Sequence, residues 1–249
     1  MKIKFLGTNG WYSTQTGNTP CVLIDSKEAY IVLDMGEGFY KLDRHITDER
    51  KPIYVFLSHF HLDHIYGLHI LDKFNFKQGM TIFGKRGWKD VAKLLINYPF
   101  TNSIDKMVTK VLIEELDEGR HASPFEFECA LLPHADPSMG YRLYLEGKTV
   151  TYCTDTGRSD GALSLAKGAD IFISECAKLP GQPIEPHWPH LNPDLAARQA
   201  KDAGAKRLVL MHFGAEVYET MESRKVAEVA AKKIFPNTVS AFDGMEIEL

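Results

Sequence analysis

Six consecutive residues, His59-Phe60-His61-Leu62-Asp63-His64, constrain this chain more than any other feature. They crowd four metal-binding side chains into one tight turn. His59 and His61 are two residues apart, so on an extended backbone their rings point the same way. Asp63 and His64 follow too closely to join that ligand set comfortably. The spacing therefore points to two metal ions side by side. Residues 54–57, Tyr-Val-Phe-Leu, lead straight into the cluster as an apolar strand, so the ligands stand at a strand's C-terminal end.

The same placement recurs along the chain. His134 follows the β-rich run 125–132, Asp155 follows 149–153 within Thr154-Asp155-Thr156-Gly157, and His212 follows 207–211. Other strands are expected over 2–6, 21–24, 30–33, 81–83, 141–145 and 170–173. Helices are expected over 88–96, 161–167, 194–203 and 221–234. Asn192 can cap the third of these helices, Pro193 suits its first turn and Gly204 its end. The closing run 239–249 reads as a hairpin around Asp243-Gly244. No linker, low-complexity tract or repeat divides the chain, which is read as a single domain over 1–249 with two sheets and helices outside.

The composition excludes some classes. The chain has 249 residues, 44% hydrophobic and 25% charged, enough to bury a full core. Its 29 basic and 33 acidic residues leave a net charge of −4, which argues mildly against a broad nucleic-acid-binding face. The opening MKIKFLGTNG lacks a signal peptide's apolar run, and no stretch is long enough to span a membrane. Cys21, Cys129, Cys153 and Cys176 form no C-x-x-C pair and read as buried, reduced thiols of a cytoplasmic protein. His45, His69, His121 and His187 lack the strand-end placement and read as surface or structural.

With its later His, Asp and His, the H-x-H-x-D-H pattern resembles the metallo-β-lactamase-fold hydrolases over nearly the full length. That resemblance implies an α+β architecture, a four-layer αββα sandwich with the site at the edge between the sheets. It implies that His59, His61 and His134 bind one divalent ion, that Asp63, His64 and His212 bind a second, and that Asp155 bridges them. Such ligands suit zinc, and also manganese or iron.

Within the superfamily, several segments are similar to the ribonuclease Z and phosphodiesterase branch. They are Phe5-Leu6-Gly7-Thr8, Leu33-Asp34-Met35-Gly36-Glu37-Gly38 and His134-Ala-Asp-Pro-Ser-Met-Gly-Tyr-Arg, with Ser174-Glu175-Cys176-Ala177 where the branch has His-Glu-Ala-Thr. His190 stands before the Asn-Pro-capped helix. Asp34 is either a partner orienting a histidine ligand or a turn carboxylate. The mechanism implied is displacement at phosphorus by a metal-bridging hydroxide. Asp63 orients that hydroxide, and His190, held by Glu175, protonates the leaving oxygen.

The branch's tRNA-processing members usually carry an inserted arm that grips tRNA, and no such basic insertion is visible here. Ser174 also replaces a histidine of the branch motif. The basic clusters Lys85, Arg86, Lys89 and Lys201, Lys206, Arg207 read as solvated faces. These departures favour a small or cyclic phosphodiester over RNA as substrate. A ribonuclease Z-type tRNA 3′-processing endonuclease is the alternative, and a lactone or thioester hydrolase a third. No membrane partner is expected, and the resemblance allows a homodimer.

Overall fold

The computed structural model describes all 249 residues, Met1–Leu249. The strands of the N-terminal half are β1 Lys2–Gly7, β2 Asn9–Gly10, β3 Cys21–Asp25, β4 Tyr30–Leu33, β5 Ile53–Phe56, β6 Met80–Lys85 and β7 Val111–Leu116. Those of the C-terminal half are β8 Gly119–His121, β9 Phe127–Leu132, β10 Ser138–Leu145, β11 Lys148–Cys153, β12 Ile171–Glu175, β13 Leu208–Met211, β14 Phe213–Gly214, β15 Thr238–Ser240 and β16 Glu246–Glu248. The α-helices are α1 Leu62–Ile65, α2 Trp88–Leu95, α3 Asp160–Ala166, α4 Pro193–Asp202 and α5 Met221–Lys232. Two 3₁₀ segments, Glu37–Arg44 and Tyr66–Lys73, complete the helical layer over the first sheet.

Two seven-stranded sheets form, in the orders β16-β1-β3-β4-β5-β6-β7 and β15-β13-β12-β11-β10-β9-β8. Strand alternation divides their side chains between two faces. Val22 and Ile24 of β3 and Val209 and Met211 of β13 point inward, where they share one core with Phe56, Phe127, Tyr141 and Ile171 from both sheets. Cys21 and Leu23 point outward and pack with Phe39, Leu42 and Trp88. Leu208 and Leu210 point outward under α3, α4 and α5, against Ala162, Ala196, Ala200 and Ala227. Both faces of each sheet are covered, which is why the strands read as continuous apolar runs. The result is the expected αββα sandwich. All four cysteines are free and buried. No helix is long and apolar enough to cross a membrane.

One expectation fails at the C-terminus. Residues 239–249 make no hairpin: β15 pairs in parallel with β13 of the second sheet, and β16 pairs antiparallel with β1 of the first. Asp243-Gly244 lies on the crossing between the sheets. Asp243 accepts hydrogen bonds from Thr8 Oγ1 (2.9 Å), the Asn18 amide (2.9 Å) and Lys41 Nζ (2.7 Å), so the turn is tied to the N-terminal loop instead of to a paired strand.

The topology aligns the ends that matter. Strands β9, β11, β12 and β13 run in one direction, because β9 and β11 are each antiparallel to β10 while β11, β12 and β13 are mutually parallel. Strands β4 and β5 are likewise parallel in the first sheet. Their C-terminal ends deliver Asp34, His59, His134, Asp155, Glu175 and His212 to one edge. Helix α4 starts as the sequence predicts: the Asn192 side chain accepts from the Leu195 amide at 2.8 Å, Pro193 opens the helix, and Gly204 follows it with φ +65°. Asn192 Nδ2 also donates to the Gln182 carbonyl at 2.6 Å. Replacing Asn192 by Ala should lower stability by about 1–2 kcal/mol. In urea unfolding this appears as a lower midpoint with an unchanged slope.

Candidate metal centre

Seven side chains predicted from separate parts of the chain meet at the sheet edge. His59, His61, His134 and Asp155 offer ligand atoms within 4.8 Å of one another, and Asp63, His64 and His212 do the same. Asp155 touches both groups with different oxygens. Its Oδ2 lies 3.7 Å from His59 Nε2 and 3.5 Å from His134 Nε2. Its Oδ1 lies 3.2 Å from His64 Nε2 and 2.9 Å from His212 Nε2. Asp63 Oδ2 stands 3.4 Å from both His64 Nε2 and His212 Nε2.

For His134, His59 and His64 the surroundings decide which ring nitrogen faces the cluster. His134 Nδ1 contacts the Pro189 carbonyl at 3.3 Å, leaving Nε2 buried and without a hydrogen-bond partner. His59 Nδ1 meets Ser58 Oγ at 3.0 Å. His64 Nδ1 meets Asp34 Oδ2 at 2.7 Å. This contact favours the orienting role for Asp34, which is fully buried. It also accepts from the Ser58 amide (2.7 Å), Ser58 Oγ (2.9 Å) and the Tyr152 hydroxyl (2.6 Å), and so links β4, β5 and β11 behind the histidines. Room is made by glycine: a Cβ at Gly10 would lie 2.4 Å from His212 Cε1.

The charge pattern differs between the two groups. Burial pushes His59, His61 and His134 below the ordinary histidine range, leaving them neutral and ready to donate lone pairs. Burial works the same way on His64 and His212. Asp63, Asp155 and Asp34 overcome it at His64, and Asp155 with Asp63 pushes His212 up to about 10. Burial would raise Asp63 and Asp155, yet the same histidines hold both carboxyls well below their usual range. Protons on His64 and His212 thus balance the carboxylates where a cation would otherwise do so. An orphaned imidazole nitrogen, neutral buried rings and paired carboxylates are a donor set that suits a divalent metal.

Beside the cluster, His190 Nδ1 contacts Glu175 Oε2 at 2.9 Å. Glu175 is fully buried and also accepts from the Leu191 amide (3.1 Å) and from the Thr156 amide, next to Asp155. It is no surface carboxylate. Burial lowers His190, but the charge and hydrogen bond of Glu175 outweigh it and leave the pKa raised.

Three contributors escape a reading of the sequence. The Trp11 amide donates to Asp63 Oδ2 at 2.8 Å from a backbone with φ +72°. Trp188 stacks on His61, with centroids 5.0 Å apart. Lys85 is buried, unlike the solvated lysine expected. It pairs with Asp136 and donates to the Pro137 carbonyl at 2.8 Å, while Asp136 accepts from the Phe60 amide at 3.0 Å. The Lys85–Asp136 pair therefore braces the His59–His61 turn against the His134 loop. The His134-Ala-Asp-Pro spacing is the only sequence signal for it.

A family model, described as the beta-lactamase superfamily domain, matches residues 30–213. The chain belongs to this superfamily and has the metallo-β-lactamase fold. It is a metal-dependent hydrolase of the branch that includes ribonuclease Z. The ribonuclease Z of Bacillus velezensis is 26% identical, with 99% of this chain and 98% of that protein covered. Among solved structures, the metallo-beta-lactamase fold protein YhfI from Bacillus subtilis superposes with a TM-score of 0.80 at 24% identity, covering 99% of each chain. Human tRNase Z, short form, superposes with a TM-score of 0.75 at 24% identity, covering 100% of this chain and 99% of that one.

The paired histidines and carboxylates make metal uptake depend on pH. Below about pH 10 the metal-free protein keeps a proton on His212 that a cation must displace. Adding zinc to metal-free protein in weak buffer at pH 7 should therefore release protons, seen with an indicator dye. Apparent affinity should rise from pH 6 to pH 9. In the metal-free chain, the raised His212 pKa stabilises the fold fully below its ordinary value of 6.5, and this contribution disappears as pH rises through about 10. Zinc uptake without proton release would contradict the charge pattern.

Proposed function

We propose that this protein is a two-metal phosphodiester hydrolase acting on RNA, of the ribonuclease Z type. The observation that carries the reading is the division of Asp155 between two ligand groups, with the Glu175–His190 pair beside them. The absence of an inserted arm favours a small substrate when the sequence is read alone. Full-length similarity to proteins named ribonuclease Z supports RNA instead.

In this reading His59, His61 and His134 hold one ion, Asp63, His64 and His212 hold the other, and Asp155 joins the two sets. Zinc suits these donors. Bound divalent ions supply Lewis acidity and a nucleophile drawn from water near neutral pH. Asp63, fixed by the Trp11 amide, would orient a nucleophile drawn from water once ions are bound. His190 carries the proton that the leaving alkoxide needs, and buried Glu175 keeps the imidazole charged and correctly turned.

A second reading, a small or cyclic phosphodiester, is favoured by two observations. The Bacillus velezensis alignment extends over 309 positions, at least 309 − 249 = 60 more than this chain has residues. The missing segments leave fewer surfaces to grip a large RNA. The cavity at the metal centre, about 630 Å³, is also in the range of small-molecule sites.

The zinc-loaded protein should cut a 3′-extended tRNA precursor. Hydrolysis of a cyclic nucleotide with the precursor left intact would move the assignment to the second reading, and lactone or thioester turnover alone would overturn both. Replacing His190 by Ala should slow RNA cleavage by about 10²–10⁴-fold at unchanged metal content. The loss should be smaller on bis(p-nitrophenyl) phosphate, whose nitrophenolate leaves without a proton. Because the His190 pKa is raised, the acid form is full at low pH, and activity falls as pH rises through that pKa. The variant should lack this alkaline decline; an unchanged rate and profile would remove His190 as the acid.

A further inference from the structure

Trp188 lies two residues before His190, on the loop between β12 and α4. Its indole is parallel to the His61 ring within 2°, with centroids 5.0 Å apart, and meets His134 at 5.5 Å and 74°. One indole face is therefore covered. Yet the residue is 48% exposed, whereas Trp88, a core tryptophan of the same chain, is fully buried. The stack on His61 therefore leaves much of the indole open to solvent. Trp188 and His61 both line the cavity of about 630 Å³ that also contains Asp63, Asp155 and His190. Trp11, 68% exposed, and Leu62, 70% exposed, line the same cavity.

Holding His61 in place accounts for one face of the indole and leaves the other without a task. A rigid aromatic plane facing solvent beside a phosphodiester site matches one substrate element, a flat nucleobase. Every base has a π-face, so such a platform binds single-stranded nucleic acid without demanding a sequence. We propose that Trp188 is the stacking face for the nucleobase adjoining the scissile phosphate, an inference that rests on the phosphodiesterase reading above. The indole thus has two roles on two faces: it orients His61 and it selects substrates bearing a base next to the phosphate. Abasic phosphates of the same charge lose this contact.

The test is a binding comparison on the zinc-loaded protein, independent of turnover. Adenosine 5′-monophosphate, ribose 5-phosphate and inorganic phosphate are titrated by calorimetry, with tryptophan quenching followed in W11F so that Trp188 is the exposed indole. The nucleotide should bind roughly 5- to 100-fold tighter than ribose 5-phosphate, the range of base-on-aromatic stacking, and should quench. W188L should erase the difference and W188F should keep most of it, with metal content measured in both. Equal binding of nucleotide and ribose 5-phosphate overturns the stacking role while leaving the phosphate site intact. Retention of the difference by zinc-loaded W188L overturns it too. If none of the three phosphates binds, the phosphodiesterase reading fails, and the stacking role falls with it.

Discussion

The carboxylate of Asp155 is the contact on which the rest of the site depends. Its two oxygens face two different sets of imidazoles, within 3.7 Å on one side and 3.2 Å on the other. A buried carboxylate is tolerated only where cationic or hydrogen-bonding partners surround it. Asp155 adopts φ +47°, and His212 and Asp34 adopt +51° and +61°. Left-handed backbone is uncommon for these residues, and its concentration at one edge marks a place where geometry overrides local preference. Thr154 Oγ1 donates to Asp155 Oδ1 at 2.8 Å, while the following amide, Thr156, is held by Glu175. One short loop therefore connects the centre of the ligand cluster to the group that orients His190.

The sandwich exists around that edge in a specific sense. Asp34 at the end of β4 accepts hydrogen bonds from Ser58 after β5 and from Tyr152 in β11, so a polar contact ties the two sheets directly behind His64. On the opposite side, buried Arg224 of α5 donates to Thr8 Oγ1 at 2.8 Å and to Asn9, fixing the loop that places Gly10 against His212 and the Trp11 amide on Asp63. The ligands sit on strand ends, and their positions are set by partners on neighbouring strands and on α5. This is the rigidity that the proposed two-ion site requires, since small displacements change ligand distances.

Much of this is legible in the amino-acid sequence. Apolar, β-rich runs locate the long strands, and each ligand candidate follows one, because a strand terminus is where a polar side chain can leave the core. The Asn192-Pro193 start of α4 is readable because a cap is a local interaction. What the sequence hides is non-local. The run 239–249 resembles a hairpin because Asp-Gly is a turn signal, yet it crosses between sheets once Asp243 binds Thr8 and Asn18. Lys85 reads as solvated because its partner, Asp136, is 51 positions away. Trp188 carries no periodic signal at all, and only the tertiary fold lays it on His61.

In the proposed centre, Asp155 unites two cation sites. Native mass spectrometry of the zinc-reconstituted protein, beside its D155A variant, tests this most directly. Two ions per wild-type chain are predicted, with a coupled loss of affinity for both in the variant, because each site forfeits an oxygen from the same side chain. A single ion per wild-type chain, or a variant that still binds two ions with unchanged affinity, would contradict it.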